Sequence, residues 1–429
     1  MTTGAAGSAS EPDVAWKLEV LAPWRQRHSW VLDRQIAIAE TAAPTGHESE
    51  RAALLQQQLR SGGCTTVSQD TVGNVIAHIG AGGAHQTGAV QFCAARTGAA
   101  RTATAPTAAP LVCMAHLDTV FAHDATLRAV RTGARVQCPG IGDNSRGLAA
   151  MIALAHTLHH PAVQARLTRP VELVATVGEE GEGNLRGARA YFDAAEQEGR
   201  DTYAAIAIDG PGDRAIVHHA VGSCRMRIHL HGHGGHSWAN AGTPNPVHAA
   251  GALIASLAQL ADRERPHAVV TVSRMSGGEL LTSIPRDAWI DVDIRAIDQT
   301  RVAHLERSIL QLAQRIATEE SRHKPALALH VRTESLGERP AGHLAASHPL
   351  VREAVRATER AGRVPQAASA STDANVPLSR GIPAIAIGAG GTGGDAHSLN
   401  EWFDDEGSEV GLVRLIDLVT TIACSPAFV

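Results

Sequence analysis

The sequence predicts an α/β protein: an α/β/α domain built on a mixed, largely parallel sheet and interrupted by a ferredoxin-like domain. Three observations support this prediction. The chain has 429 residues, more than one hydrophobic core usually serves. Short apolar runs recur along its outer parts, as in strands that are covered on both faces. Between residues 209 and 383 the pattern changes to alternation of apolar and polar residues, which is typical of half-exposed strands.

The first hundred residues predict helices and a strand pair. Residues 1–13 have the composition of a short disordered tail without the basic and apolar regions of a signal peptide. Residues 30–60 predict two helices around a break at 43–46, and residues 66–79 predict two strands. Residues 80–110 are rich in Gly, Ala and Thr without periodicity, and we interpret them as a surface loop of unassigned role.

The apolar run Leu111–Ala115 predicts a buried strand that ends in His116-Leu117-Asp118. Residues two apart in an extended chain point to the same side, so His116 and Asp118 leave the strand together. Ligands of open parallel sheets bind at the carboxyl ends of the strands. A metal-binding His usually has a carboxylate that orients it. We therefore predict that His116 is a metal ligand.

Later strand ends repeat this pattern. A Gly-rich turn with Asp143 precedes an apolar helix, and three further apolar runs (171–177, 204–208 and 383–387) are followed by Glu179-Glu180, by Asp209 and by a glycine-rich segment with His397. Taken singly, Asp143 could be a helix cap and Glu179-Glu180 a solvated acidic pair. Two His and several carboxylates in one repeated position instead indicate a metal site.

The segment between these strand ends predicts a separate unit. Residues 224–231 and 288–296 alternate strictly, residues 247–261 and 302–316 have helical periodicity, and residues 268–275 and 326–331 predict two more strands. The order β-α-β-β-α-β is that of the ferredoxin-like fold. The predicted division is 1–221 and 333–429 for the main domain and 222–332 for the inserted one.

Composition excludes several classes of protein. The net charge is −5 without a basic run, so we expect no nucleic-acid partner. No apolar run reaches the roughly 20 residues of a membrane helix, so we expect no membrane partner. The six cysteines are scattered without a CxxC pair. This pattern predicts neither disulfides nor a thiolate zinc site, and it favours a reducing cytoplasm.

Several short motifs, read together, resemble one family. They are His116-Leu117-Asp118, Gly142-Asp143-Asn144, Gly178-Glu179-Glu180-Gly181, Ile208-Asp209-Gly210, Gly234-Gly235-His236-Ser237 and Ala396-His397-Ser398. In this order they resemble the dinuclear zinc metallopeptidases related to peptidase T, glutamate carboxypeptidase, aminoacylase and carnosinase. The resemblance implies a catalytic α/β domain interrupted by a ferredoxin-like dimerisation domain, and hence a homodimer.

The resemblance also implies residue roles. Asp143 would bridge two divalent ions, zinc in the first place and cobalt or manganese as alternatives, with His116 and Asp209 on one ion and Glu180 and His397 on the other. Glu179 would act as general base on a metal-bridging water, and Asp118 would support His116. His236 would contact the carbonyl oxygen of the scissile bond, within its own chain or in the partner's site. Arg295 would bind the substrate's carboxylate, unless it is a solvated strand residue.

Two positions bear on the substrate. Thr282 stands where many relatives carry Asn before Ile-Pro, and Asp209 stands where acylases and carboxypeptidases more often have Glu. The second feature favours short peptides, as in di- and tripeptidases or aminopeptidases. An N-acyl-amino-acid amidohydrolase or carboxypeptidase of the same family is the first alternative. A metal- or peptide-binding relative without catalysis is the second, but such a protein would not need Glu179.

Overall fold

The computed structural model describes residues 11–80 and 108–425, so the loop predicted for residues 80–110 lies mainly outside the described residues. The strands are β1 (Thr66–Gln69), β2 (Val75–Ile79), β3 (Leu111–His116), β4 (Val130–Thr132), β5 (Arg135–Gln137), β6 (Val171–Thr176), β7 (Ala204–Ile208), β8 (Ala215–Ala220), β9 (Gly222–His231), β10 (Gly235–His236), β11 (Ala268–Gly277), β12 (Ser283–Ile284), β13 (Asp287–Ala296), β14 (His330–Arg339), β15 (Gly342–His343), β16 (Gln366–Ala370), β17 (Ala384–Ile387), β18 (Thr392–Gly394) and β19 (Trp402–Asp404). The helices are α1 (Glu11–Gln26), α2 (His28–Ala39), α3 (Ser49–Ser61), α4 (Ser145–Leu158), α5 (Pro161–Gln164), α6 (Arg186–Gln197), α7 (Pro246–Glu264), α8 (Gln299–Glu320), α9 (Pro349–Arg360), α10 (Asn375–Ser379) and α11 (Ser408–Cys424), with 3₁₀ turns at Gly181–Gly183 and Pro325–Leu327.

The main sheet is mixed with a parallel centre, which confirms the predicted fold class. Among the described residues its order is β1-β2-β6-β3-β7-β17-β8-β15, with β16 beside β8. The central strands β6, β3, β7 and β17 run parallel, whereas β2 and β8 join them antiparallel. The carboxyl ends of the central strands therefore meet at one edge, where a ligand site is expected.

Both faces of β3 are covered, which explains its apolar run. Leu111 and Cys113 pack into the core that holds helices α3, α4 and α11. Val112 and Met114 point to the other face and pack with residues of α6 and α10. A strand between two helical layers has no solvent side, so polar alternation is lost.

The inserted domain has the predicted β-α-β-β-α-β order. Its antiparallel sheet has the order β11-β13-β9-β14. Met226, Ile228 and Leu230 of β9 point towards α7 and α8, and they form a core that is separate from that of the main domain. Arg225 and Arg227 lie on the opposite face, which is turned towards the main domain's cleft at Arg225. One face of the sheet is thus apolar and the other is charged.

Two predicted elements differ from the structure. Helix α1 begins at Glu11, inside the predicted tail, and its buried residues Trp16, Val20 and Trp24 follow at intervals of four on one helix face. The strand predicted at 326–331 begins only at His330. Its apolar start instead forms a 3₁₀ turn, and the Leu329 amide donates to the Ser321 hydroxyl at 3.0 Å rather than to a neighbouring strand.

The chain enters and leaves the inserted domain at adjacent points. Ser223 at the start of β9 pairs with Arg339 at the end of β14. A Cβ on Gly222 would lie 2.7 Å from the Ala341 nitrogen, so the two crossings touch backbone to backbone. Strand β14 continues beyond the predicted boundary at residue 332, and the division into domains stays a proposal. Within the described residues, no helix combines the length and hydropathy needed to cross a membrane.

Candidate metal centre

Five side chains that the sequence singled out converge at the carboxyl edge of the main sheet. Asp143 lies at their centre: its Oδ1 is 2.9 Å from His116 Nε2 and its Oδ2 is 3.2 Å from His397 Nε2. His397 Nε2 is also 2.9 Å from Glu180 Oε1. Asp209 joins the group formed by His116 and Asp143, whose donor atoms all lie within 4.8 Å of one another. The cluster therefore has two halves that share Asp143.

The ionisation of these groups reflects their mutual contacts. Burial disfavours the charged form of Asp143, but hydrogen bonds with His116 and His397 outweigh it and lower the pKa of Asp143. Hydrogen bonds to Asp143 and Glu180 raise the pKa of His397 to about 10. Burial, and next the charge of Asp143, raises the pKa of Asp209 to about 7.

Asp118 fixes the acidic turn that carries Glu179 and Glu180. Its Oδ1 accepts from the Glu179 amide and its Oδ2 accepts from the Glu180 amide, both at 2.9 Å. His116 Nδ1 is 3.0 Å from the backbone oxygen of Asp118 but 3.6 Å from Oδ1, which is too long for a hydrogen bond. The carboxylate of Asp118 thus binds the acidic turn more closely than it binds the His116 ring.

Two buried residues that the sequence analysis missed connect the other strand ends. Asn144 caps α4 by accepting from the Gly147 amide, accepts from the Gly210 amide, and donates to the Ile208 oxygen at 2.8 Å. It thereby joins the turn of Asp143 to the end of β7. Gly147 has to be glycine here, because a Cβ would lie 2.5 Å from the Ile208 oxygen.

Glu401 makes the third connection. It is 2% exposed, and it accepts from the amides of Gly140, Gly142 and Asp143 at 2.7–2.9 Å. Because Glu401 follows His397 by four residues, it ties the two segments that carry Asp143 and His397 to each other. The spacing in His397-Ser398-Leu399-Asn400-Glu401 was visible in the sequence, but nothing in it indicated which backbone the carboxylate would meet.

Glu179 forms a buried ion pair that the sequence did not predict. Arg339 donates from Nη1 to Glu179 Oε1 at 2.8 Å and from Nη2 to the Glu179 carbonyl oxygen, and both side chains are 6% exposed. Burial raises the pKa of Glu179 well above its usual range, against the opposing charges of Arg339 and His116. Arg339 ends β14, so the inserted domain reaches Glu179 directly.

The cluster lines a cleft of about 730 Å³ between the two domains. Arg295 lines this cleft from the inserted domain. His236 and Thr282 do not line it: His236 pairs with Ser283 in the small β10–β12 ladder, and the Ser237 amide donates to the Thr282 oxygen. These two residues lie together on an exposed part of the inserted domain, apart from their own chain's metal-type cluster.

The donor set fits metal ions. Among the described residues, three groups of donors have all their atoms within 4.8 Å: His116, Asp143 and Asp209; His116, Glu179 and Glu180; and Asp143, Glu180 and His397. Imidazole and carboxylate donors suit zinc, cobalt and manganese. The first and third groups share only Asp143, as two neighbouring ions with one bridging carboxylate would require.

The chain belongs to the peptidase family M20/M25/M40, whose sequence model matches residues 112–421. This match confirms the family that the motifs resembled. Together with the fold and the cluster, it defines the class of protein, a metal-dependent hydrolase of amide bonds.

Solved structures agree in fold. An aminopeptidase PepT from Bacillus cereus is 18% identical over 92% of this chain and 99% of its own, with a TM-score of 0.70. The YXEP protein of Bacillus subtilis, a dinuclear metal-binding peptidase of the M20 family, is 16% identical over 93% and 99%, with a TM-score of 0.65. An amidase of the hydantoinase/carbamoylase family from Burkholderia multivorans is 18% identical over 94% and 98%, with a TM-score of 0.63.

Proposed function

We propose that this protein is a dinuclear-metal peptidase that cleaves the amide bond of short peptides, of the di-/tripeptidase or aminopeptidase type. The observation that carries the proposal is the double contact of Asp143, whose two carboxylate oxygens reach His116 and His397 on opposite sides. A carboxylate with a His at each oxygen has the geometry of a bridging ligand. Asp209 lies in the half of the cluster that contains His116, and Glu180 lies in the half that contains His397.

We assign His116 and Asp209 to one ion and Glu180 and His397 to the other, with zinc as the first candidate. Asp143, Glu180 and Asp209 supply three negative charges in a cleft, and two dications offset them. When bound, the ions polarise the amide carbonyl and lower the pKa of a water molecule. Unpaired cysteines at the five described positions are consistent with a reducing cytoplasm, where we place the protein.

Glu179 is proposed to move the proton. It sits beside Glu180 in the cleft but has its own partner, Arg339, so its carboxylate need not act as a ligand. It would take a proton from the attacking water and pass it to the leaving amine. Asp118 would keep the Glu179 backbone in place through its amide hydrogen bond. Arg295, on the opposite wall, would bind the carboxylate of the substrate.

We further propose a homodimer formed through the inserted domain. His236 and Thr282 lie outside their own cleft, next to exposed apolar side chains: Trp238 is 87% exposed and Leu281 is fully exposed. A partner subunit that covers this surface would bring His236 to the carbonyl oxygen in its site, where a hydrogen-bond donor stabilises the developing oxyanion.

The test combines metal analysis with an amide panel. Purified protein should hold about two divalent ions per chain, lose activity on chelation and regain it with zinc, cobalt or manganese. Dipeptides and tripeptides should be cleaved faster than N-acetyl amino acids. Faster cleavage of the N-acetyl compounds would favour the amidohydrolase alternative. A metal-loaded protein that cleaves no amide would be a binding relative, and activity without metal would refute the proposal.

A further inference from the structure

The charged face of the inserted sheet carries arginines in ordered rows above the metal centre. Strand pairing places Arg225 opposite Asp293, and it places Arg295 opposite Ser223, which in turn pairs with Arg339. Arg225 and Arg295 therefore occupy successive rows on one face, separated by two residues along the strands, or about 7 Å. Both side chains line the cleft that holds the metal-type residues.

Arg295 presents one edge of its guanidinium to the cleft. Its Nε is bound to Asp293 Oδ2 at 2.8 Å, and within the described part of the chain its two Nη atoms have no hydrogen-bond partner. An arginine that is held by Nε keeps the Nη pair available for a carboxylate. The corresponding edge of Arg227, by contrast, is already occupied, because its Nε and Nη2 both donate to Asp291.

Arg225 lacks a full counter-charge. Its Nη1 donates to the Gly181 oxygen at 2.6 Å, and its Nε is 3.9 Å from Asp293. Asp293 is already bound to Arg295, so one carboxylate serves two guanidinium groups. Burial and the charges of Arg339 and Arg295 lower the pKa of Arg225, against the attraction of Asp293. The neighbouring Arg339 is paired with Glu179.

We propose that Arg225 and Arg295 form a subsite for two carboxylates, so that the preferred substrates end in Asp or Glu. This inference rests on the proposed function. Arg295 binds the terminal carboxylate, and Arg225, one row further along the sheet, binds the carboxylate of the side chain. A substrate with two negative charges balances the two half-compensated guanidinium groups, whereas a substrate with a neutral terminal side chain leaves Arg225 only half compensated in the cleft.

The first experiment uses the metal-loaded wild-type protein with matched pairs, Ala-Glu against Ala-Gln and N-acetyl-Glu against N-acetyl-Gln. We expect kcat/KM to be roughly 10- to 100-fold higher for the acidic member, as for one charge-assisted hydrogen bond. Glutarate should inhibit more strongly than butyrate by a similar factor. Equal kcat/KM within each pair would refute the two-carboxylate subsite but leave the hydrolase intact. No cleavage of any amide would refute the proposed function itself.

The second experiment assigns the residue. Arg225→Gln should reduce the ratio of acidic to neutral kcat/KM to near 1, mainly through KM, and Arg225→Lys should restore part of it. Arg332→Gln is the matched control, because Arg332 is an exposed arginine on the same sheet that does not line the cleft. An unchanged ratio in Arg225→Gln, or an equal loss in Arg332→Gln, would contradict the assignment.

Discussion

Replacing Glu401 by Gln tests whether the metal centre depends on the connection between two of its segments. The substitution keeps the shape of the side chain but removes its charge. Oε1 accepts from the Gly142 and Asp143 amides, and Oε2 accepts from the Gly140 amide. In Glu401→Gln the amide oxygen can keep the first two hydrogen bonds, while the amide nitrogen opposes the third N–H.

The expected loss of metal affinity follows from these three hydrogen bonds. One buried N–H without an acceptor costs about 1–3 kcal/mol, and the two remaining bonds lose the roughly twofold strengthening that a charge provides. If this cost appears as misplacement of Asp143 against His397, metal affinity should fall by roughly 10- to 100-fold, the usual effect of losing a residue that orients a ligand.

The assay is competition with a chromophoric chelator, together with the absorption spectrum of the cobalt-loaded protein. Glu353→Gln is the control: Glu353 is 3% exposed and bound to Arg360 and Arg356, and it does not line the cleft. It should lower the melting temperature without changing metal affinity. Wild-type metal affinity in Glu401→Gln, or an equal loss in both variants, would refute the positioning role.

Other predictions concern the proton, the partner subunit and pH. Glu179→Gln should keep its metal but lose about 10²–10⁴ in kcat, whereas Glu180→Gln should bind metal more weakly; equal metal loss in both with an unchanged rate per bound metal in Glu179→Gln would contradict these roles. The His236→Ala and Glu179→Ala variants should each be nearly inactive alone. When they are mixed and subunit exchange is proven, about a quarter of wild-type activity should return, because half the dimers then contain one intact site. No recovery despite exchange would mean that His236 acts within its own chain or not at all. Because the pKa of His397 is raised to about 10 and that of Asp209 to about 7, His397 is protonated and Asp209 about half protonated at neutral pH, and metal ligands must lose these protons. Metal affinity should therefore rise with pH up to about 10, and most steeply below about 7 where both groups lose protons on binding. The proton release is measurable by calorimetry in buffers of different ionisation enthalpy, and pH-independent affinity would exclude this coupling.

The local order of apolar and polar residues was sufficient to predict the strands that carry the metal-type residues and the elements of the inserted unit. A strand covered on both faces has to be apolar throughout, and a strand covered on one face has to alternate, so β3 and β9 were recognisable from the order of apolar and polar residues alone. Because parallel strands end at a common edge, His116, Glu180 and Asp209, which end or follow β3, β6 and β7, could be placed together from the sequence. The convergence of these residues agrees with that reasoning, while their roles remain predictions.

What the sequence could not predict depends on contacts between distant segments. The Arg339–Glu179 pair joins residues 160 positions apart, and Glu401 meets amides about 260 positions earlier. Neither partner is recognisable from spacing, because the meeting depends on how the two domains and their loops fold. The start of β14 was predicted too early for a local reason. The Leu329 amide donates to the Ser321 hydroxyl, and the strand begins only at His330.

Gly222 and Ala341, where the chain enters and leaves the inserted domain, bear on how such a protein can evolve. Because the inserted domain begins and ends at adjacent points, it is attached to the main domain like a closed loop. Joining residues 221 and 340 directly would therefore cost little loop-closure entropy. Each domain has its own hydrophobic core. The inserted unit could therefore have been acquired, exchanged or lost as a module. The arginines and His236 would have come with it, so that a new insert would bring new specificity to an unchanged metal centre.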